Sequence, residues 1–278
     1  MKKFFFILTA IALMTWGNPA WGQSTNYGTQ CQFYNIEKTV KAKLYEGEDT
    51  ALQRNYLKIL WPVMLNDKDC PKLQEALCLM MTGRDDIKQL DKAIEYTLYT
   101  DNESVPFKDK ASYELLDEFG EEEFHISCSS STIDLKSLGN RFALYHQLYD
   151  IYFAGAAHGI FGHNYVTYDT KLDKVVTLED VLIDPEMIRE YILPSLEIHY
   201  GYTEEDLFLP ESQMPEIPNE FYFEDGTFHL VYQVYQIAGF ANGPIDVPLY
   251  YPSTERIPDY LTPYGKEVME ESYEQELY

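Results

Sequence analysis

The stretch from Ile151 to Lys174, IYFAGAAHGIFGHNYVTYDTKLDK, constrains the fold more than any other part of this 278-residue chain. An aromatic, β-prone run breaks at Gly155, crosses small residues to His158 and resumes as a second aromatic run. Aromatic and β-branched side chains suit a pleated surface, and glycine interrupts one. The stretch from Phe228 to Tyr251, FHLVYQVYQIAGFANGPIDVPLYY, has the same character.

Alternation elsewhere extends the pattern. Tyr34, Ile36, Val40, Ala42 and Leu44 share one face, as do Leu57, Ile59, Trp61, Val63 and Leu65, which predicts two half-buried strands. Helical spacing follows. Leu73, Leu77 and Met80 lie behind Pro71, and Ile87, Leu90, Ile94 and Leu98 lie behind a cap at Asp85 or Asp86. Phe124–Leu135 and Phe142–Phe153 predict strands joined at Gly139-Asn140. His163–Thr170 is expected to pair with Val175–Leu178. Met187–Ile198 reads as a helix that Pro194 bends or divides. Phe221–Phe223 and Phe228–Tyr232 form a hairpin across Glu224-Asp225-Gly226, and Pro248 places the last strand at an edge. The acidic tail from Glu267 is expected to fray. No regular βαβ alternation and no glycine-rich phosphate loop is present. The expected class is α+β, a mainly antiparallel sheet packed with several helices.

Export is the next expectation. Lys2 and Lys3 precede an apolar run from Phe4 to Met14, and Ala20-Trp21-Gly22 offers a small-x-small cleavage site before Gln23. Residues 1–22 therefore read as a signal peptide. The run is too short to span a bilayer, so stable membrane insertion is not expected, and the place is periplasmic or secreted. The whole chain carries a net charge of −25. Losing Lys2 and Lys3 leaves 19 basic against 46 acidic residues, or −27. Nucleic acid demands a basic footprint and is excluded as a partner. Acidity favours encounter with cationic partners. Four cysteines survive cleavage, and in an oxidising compartment an even count points to disulfides. A helix between Cys70 and Cys78 would hold them about 12 Å apart, beyond disulfide reach. Cys31 with Cys128, on two predicted strands, is the expected bridge.

The Gly155-Ala156-Ala157-His158-Gly159 loop and the run Tyr232, Gln233, Tyr235, Ile237, Ala238, Gly243 resemble the C-terminal domain shared by RsiV-type anti-sigma factors and PdaC-type peptidoglycan deacetylases. The family's usual second glycine is Ala156 here, and Phe153 stands where tyrosine is common. The resemblance spans about 124–264, with a looser one, around Trp61-Pro62 and Leu73-Gln74, to the module that usually precedes that domain. It implies two closely associated modules, 23–123 and 124–278. In PdaC-like proteins catalysis belongs to a separate deacetylase domain. In RsiV-like proteins the domain senses lysozyme and is tethered to a membrane helix. The resemblance thus implies a non-enzymatic envelope binding or sensory module. Its expected ligand is peptidoglycan or another glycan, or a basic protein such as lysozyme. A glycan-active hydrolase using carboxylates is the alternative.

For chemistry, His158 is the sharpest candidate, a titratable ring in a loop of small residues. Asp150, Asp169 and Asp180 are its candidate partners, and a histidine that ties the loop down is the competing reading. Gly155, His158, Tyr165, Tyr168, Tyr232 and Tyr235 form the candidate binding set, because tyrosine joins an apolar ring to a polar tip. Alternate tyrosines lining a sheet would look the same. His146, His158 and His163 lack a metal-site pattern. The acids Asp169, Asp173, Glu179, Asp180 and Asp184 do not match an EF-hand. No metal and no cofactor is expected. No Gly-x-Ser-x-Gly elbow occurs.

Overall fold

The computed structural model describes residues 20–23, 30–46, 49–100, 113–118, 126–209, 214–249, 259–273 and 276–277. In chain order the elements are β1 (Ala20–Gln23), β2 (Gln30–Glu46), β3 (Asp49–Leu65), β4 (Lys68–Asp69), α1 (Pro71–Thr82), α2 (Leu90–Leu98), β5 (Tyr113–Leu115) and β6 (Ile126–Leu138). There follow β7 (Phe142–Tyr152), β8 (Ile160–Asp169), β9 (Lys174–Val175), α3 (Leu178–Val181), α4 (Arg189–Tyr200), β10 (Glu220–Glu224), β11 (Thr227–Tyr232), β12 (Ile245–Leu249), α5 (Pro263–Ser272) and β13 (Glu276–Leu277). The fold is α+β. A large sheet runs β1-β2-β3-β6-β7-β8-β9, and a small one runs β10-β11-β12. Pairing is antiparallel except between β3 and β6. That parallel step needs a crossover, and α1 and α2 lie within it. The sheet therefore runs without a break from the first hairpin into the strands beyond residue 124.

Side-chain alternation sends the two faces of the large sheet to different cores. Leu57, Ile59, Trp61, Ile133, Leu135, Ala143, Tyr145 and Tyr168 meet Leu73, Leu77, Ile94 and Leu98 of α1 and α2. On the other side, the small sheet packs its outer face, with Phe221, Phe223, Phe228, Leu230 and Val247, against α4 and α5 residues such as Ile192, Leu196 and Val268. Its inner face turns toward β7 and β8, where Leu144, Tyr165, Tyr222 and Val231 cluster. Asp225 and Gly226 take φ +48° and +67°, the left-handed pair of a type I′ turn. Pro248 sits on β12, at the edge of the small sheet, where its missing N–H costs no ladder bond.

Several expectations are corrected. α2 starts at Leu90 behind Gln89, and Asp86 pairs with Arg84 at 2.8 Å instead of capping it. Pro194 does not divide its helix, since α4 runs through it from Arg189 to Tyr200. The tail does not fray at Glu267. In α5 Val268 and Met269 are buried, and the Glu271 carboxylate accepts the N–H groups of Arg141 (2.6 Å) and Phe142 (2.9 Å). The Cys31–Cys128 bridge fails on register. Cys128 lies level with Arg54, and Arg54 with Lys41. Lys41 is ten residues along β2 from Cys31, which is about 33 Å of strand. All four cysteines are free thiols.

β1 pairs with β2, Ala20 opposite Phe33 and Gly22 opposite Cys31, so Ala20, Trp21 and Gly22 of the expected leader lie in this strand. The expected strand start at Phe124 and the acids Glu121–Glu123 lie outside the described residues, as does the end of the last predicted strand beyond Leu249. Among the described residues no helix is long and apolar enough to cross a membrane.

Candidate functional site: an aromatic ledge above a polar seam

The two sequence stretches singled out above converge. The loop after β7 brings His158 against the loop after β11. His158 Nε2 lies 3.1 Å from the Tyr235 hydroxyl, its Nδ1 lies 3.0 Å from the Gly159 carbonyl, and its ring stacks on Phe240 at 3.8 Å between centroids. Phe161 meets Phe240 edge-on at 5.9 Å. His158 is exposed and Tyr235 is 48% exposed, so these rings form a ledge open to solvent. Two backbone features build it. Gly155 takes φ +82° with open space around it, so conformation, not crowding, calls for glycine there. Tyr235 takes φ +69°, a costly state for an aromatic residue. Such strain persists where the surroundings enforce it, and it gathers at binding and active sites.

The ledge rests on β8 through Gln233. Its Oε1 accepts the N–H of His163 at 3.0 Å, and its Nε2 donates to the His163 carbonyl. Glu220 accepts the next outward N–H, that of Tyr165, at 2.8 Å. Two side chains thus satisfy a stretch of strand edge that no strand covers.

Below lies a column of rings between the sheets. The His146 and Tyr165 rings stack at 4.7 Å, Tyr165 and Tyr222 at 4.3 Å, and Tyr222 and His229 at 4.5 Å. Asp246 receives the Tyr222 hydroxyl and lies 2.9 Å from His229 Nδ1. Lys136 sits 4.5 Å from the Tyr222 ring centre and pairs with Glu224 at 2.9 Å. The environment moves several of these groups. Burial raises the Tyr222 hydroxyl strongly, aided by Asp246. Burial also works to raise Asp246, but His229, Tyr222 and Lys136 prevail and hold it below the usual carboxylate range. Burial raises Glu220. Burial, His163 and Lys136 push His146 down to about 4.

The expected site residues separate. His158, Gly155 and Tyr235 come together in the ledge. Tyr165 is half-buried in the column. Tyr168 and Tyr232 leave the binding set. Tyr168 is 1% exposed and donates to Asp173 at 2.7 Å. Tyr232 is fully buried and donates to the Glu216 carbonyl at 2.8 Å. Both point to a core side of their strands, as alternation requires. Of the acids weighed beside His158, Asp169 is fully buried under Arg141, and Asp180 takes Lys174 and the Thr177 N–H. Neither touches His158. Sequence reasoning missed Tyr222, His229, Asp246, Phe240 and the role of Gln233. Tyr222 and His229 did carry a signal, being polar rings set between apolar residues on a two-residue period.

No protein-family model and no curated protein matches the chain. Solved structures do. A DUF3298-family protein from Bacteroides fragilis aligns with a TM-score of 0.64 at 16% identity, covering 88% of this chain and 98% of its own. A DUF3298-family protein from Pseudomonas aeruginosa aligns at 0.52 with 14% identity, covering 83% and 94%. The chain shares the fold of these proteins, whose family is a domain of unknown function.

Proposed function

We propose that this protein is an exported, non-enzymatic binding module of the cell envelope, and that the ledge of His158, Tyr235 and Phe240 is its recognition surface. One observation carries the reading. Two segments more than seventy residues apart build an exposed set of ring faces and polar tips, at the expense of a left-handed tyrosine. Ring faces bearing hydrogen-bonding tips suit sugar rings, so the proposed ligand is a cell-wall glycan. The RsiV- and PdaC-like loop motifs that form the ledge support an accessory role in the envelope. A basic protein is the second reading, favoured by the net charge of −25. The hydrolase reading loses support because Glu220 and Asp246 are both engaged in holding the seam.

Calorimetry of the mature chain against purified peptidoglycan fragments, and separately against lysozyme, tests this. Fragment binding is expected, with a tenfold or greater loss in Tyr235→Ala. Fragment binding that Tyr235→Ala leaves unchanged removes the ledge from the proposal. Salt-sensitive binding of lysozyme alone transfers the proposal to the basic partner. Fragment cleavage overturns the non-enzymatic reading.

A further inference from the structure

His146 and His163 meet where the two sheets join, directly under the ledge. His146 Nε2 and His163 Nδ1 are 2.7 Å apart, with the rings stacked at 5.0 Å. A bond between two imidazoles needs one N–H and one bare nitrogen. With both rings protonated the contact holds two donors, two positive charges and no acceptor.

The surroundings relieve that conflict only in part: burial and Lys136 outweigh the Asp246 charge, which favours a cationic His163. From β6, Lys136 approaches with a third positive charge, and Asp134, opposite His146 in register, faces Lys58 at 3.7 Å. Tyr165 of β8 is stacked on His146. From β10, Glu224 is paired with Lys136 and Glu220 with the Tyr165 N–H, and Tyr222 donates to Asp246. From β11 and β12, His229 and Asp246 hold each other. Every carboxylate facing the pair already has a partner.

We propose that the His146–His163 pair is an acid-sensitive latch for the ledge. Protonation of both rings breaks their bond and loosens β8 at His163. The Gln233 clamp goes with it, and so does the loop that carries Tyr235 and Phe240. Only the consequence for ligand release rests on the ledge being the binding surface; the latch itself is read without a ligand. The sign follows from linkage. Both histidines sit below the ordinary imidazole value, His146 at about 4. The opened or unfolded chain takes up protons first, below about 6.5. The closed seam is fully favoured above that pH and loses its advantage as pH falls toward 4.

Hydrogen-exchange mass spectrometry of the full exported chain between pH 7.5 and 4.5 tests the latch, with rates corrected for intrinsic pH dependence. Peptides spanning 160–166 and 233–243 should gain tenfold or more in exchange on acidification, while peptides from β2 and β3 stay protected. His146→Phe keeps a stacking ring without titrating, and should move the midpoint down by a pH unit or more. His163→Asn serves the same purpose should His146→Phe not fold. Flat corrected exchange, simultaneous opening of β2 and β3, or a wild-type midpoint in the variants overturns the proposal. Failure to bind any fragment at pH 7.5 would remove the ligand and leave the latch standing.

Discussion

The side-chain amide of Gln233 pairs with both backbone polar groups of His163, as a neighbouring strand would. A strand edge left open invites pairing with another chain, and here one amide closes it while anchoring the ledge. Gln233→Ala leaves a half-buried N–H and carbonyl without partners. Each orphaned group costs about 1–3 kcal/mol where water cannot replace it. A fall in Tm of several degrees is expected by thermal unfolding. Gln233→Glu keeps the acceptor and loses the donor, so its Tm should lie between the two. An unchanged Tm in Gln233→Ala would show that the clamp contributes nothing.

Gly162 makes that clamp fit. A Cβ built there would collide with Gln233 Oε1 and the Tyr149 hydroxyl. Gln233 is already committed to His163 and cannot withdraw freely. Gly162→Ala should therefore destabilise the protein by about 1–3 kcal/mol, the range for overpacking. Gly239→Ala is the control, because a Cβ there meets nothing nearer than 3.6 Å and its φ of −69° suits any residue. Equal unfolding midpoints in urea for the two variants would count against the crowding.

Much of the fold could be read from local pattern. Leu57, Ile59, Trp61 and Leu65 announce a buried face by alternation alone, and Asp225-Gly226 announces its own turn. What escaped depends on partners distant in sequence. Glu267 and Glu271 look like an acidic tail until Arg141, more than 120 residues earlier, is brought to them. Cys31 and Cys128 both read as strand residues, but the register that separates them is set by pairings that no local signal encodes. At the site, His158 and Tyr235 were legible as motif residues. Their contact was not, nor was the burial of Tyr168 and Tyr232.

Asp169 fixes the end of β8 opposite the ledge. It is fully buried, with Arg141 at 2.7 Å, the Tyr264 hydroxyl at 2.9 Å and the N–H groups of Lys171 and Leu172 at 2.8 and 3.0 Å. Burial works to raise its carboxyl, but these donors outweigh burial and hold it below the usual range. Its contribution is present above the unfolded value of about 3.9 and fades as pH falls through the lower folded value. Asp169→Ala should cost about 3 kcal/mol or more, since it removes the buried partner of Arg141, which keeps only Glu267, and leaves the Tyr264 hydroxyl and two N–H groups without their acceptor. Asp169→Asn should make the stability profile shallower below pH 4, where the lowered carboxyls of Asp180 and Asp246 still contribute, and leave the decline between pH 6.5 and 4 to the histidines. Urea unfolding across pH 3–7 separates the two windows. A change confined to the upper window would contradict the assignment.

The thiols offer a direct test of register. Cys31, Cys70 and Cys78 are at most 4% exposed, whereas Cys128 is half-buried. Burial raises the Cys70 thiol to about 12 and Cys78 to about 11, so neither supplies appreciable thiolate near neutrality. A thiol-exchange reagent at pH 7.5 should modify Cys128 quickly in the native protein and all four cysteines after denaturation. Mapping under non-reducing conditions should show no Cys31–Cys128 peptide. If that cross-linked peptide appears, the β2–β3–β6 register is wrong by about ten residues. The large sheet would then have to be redrawn from its first hairpin outward.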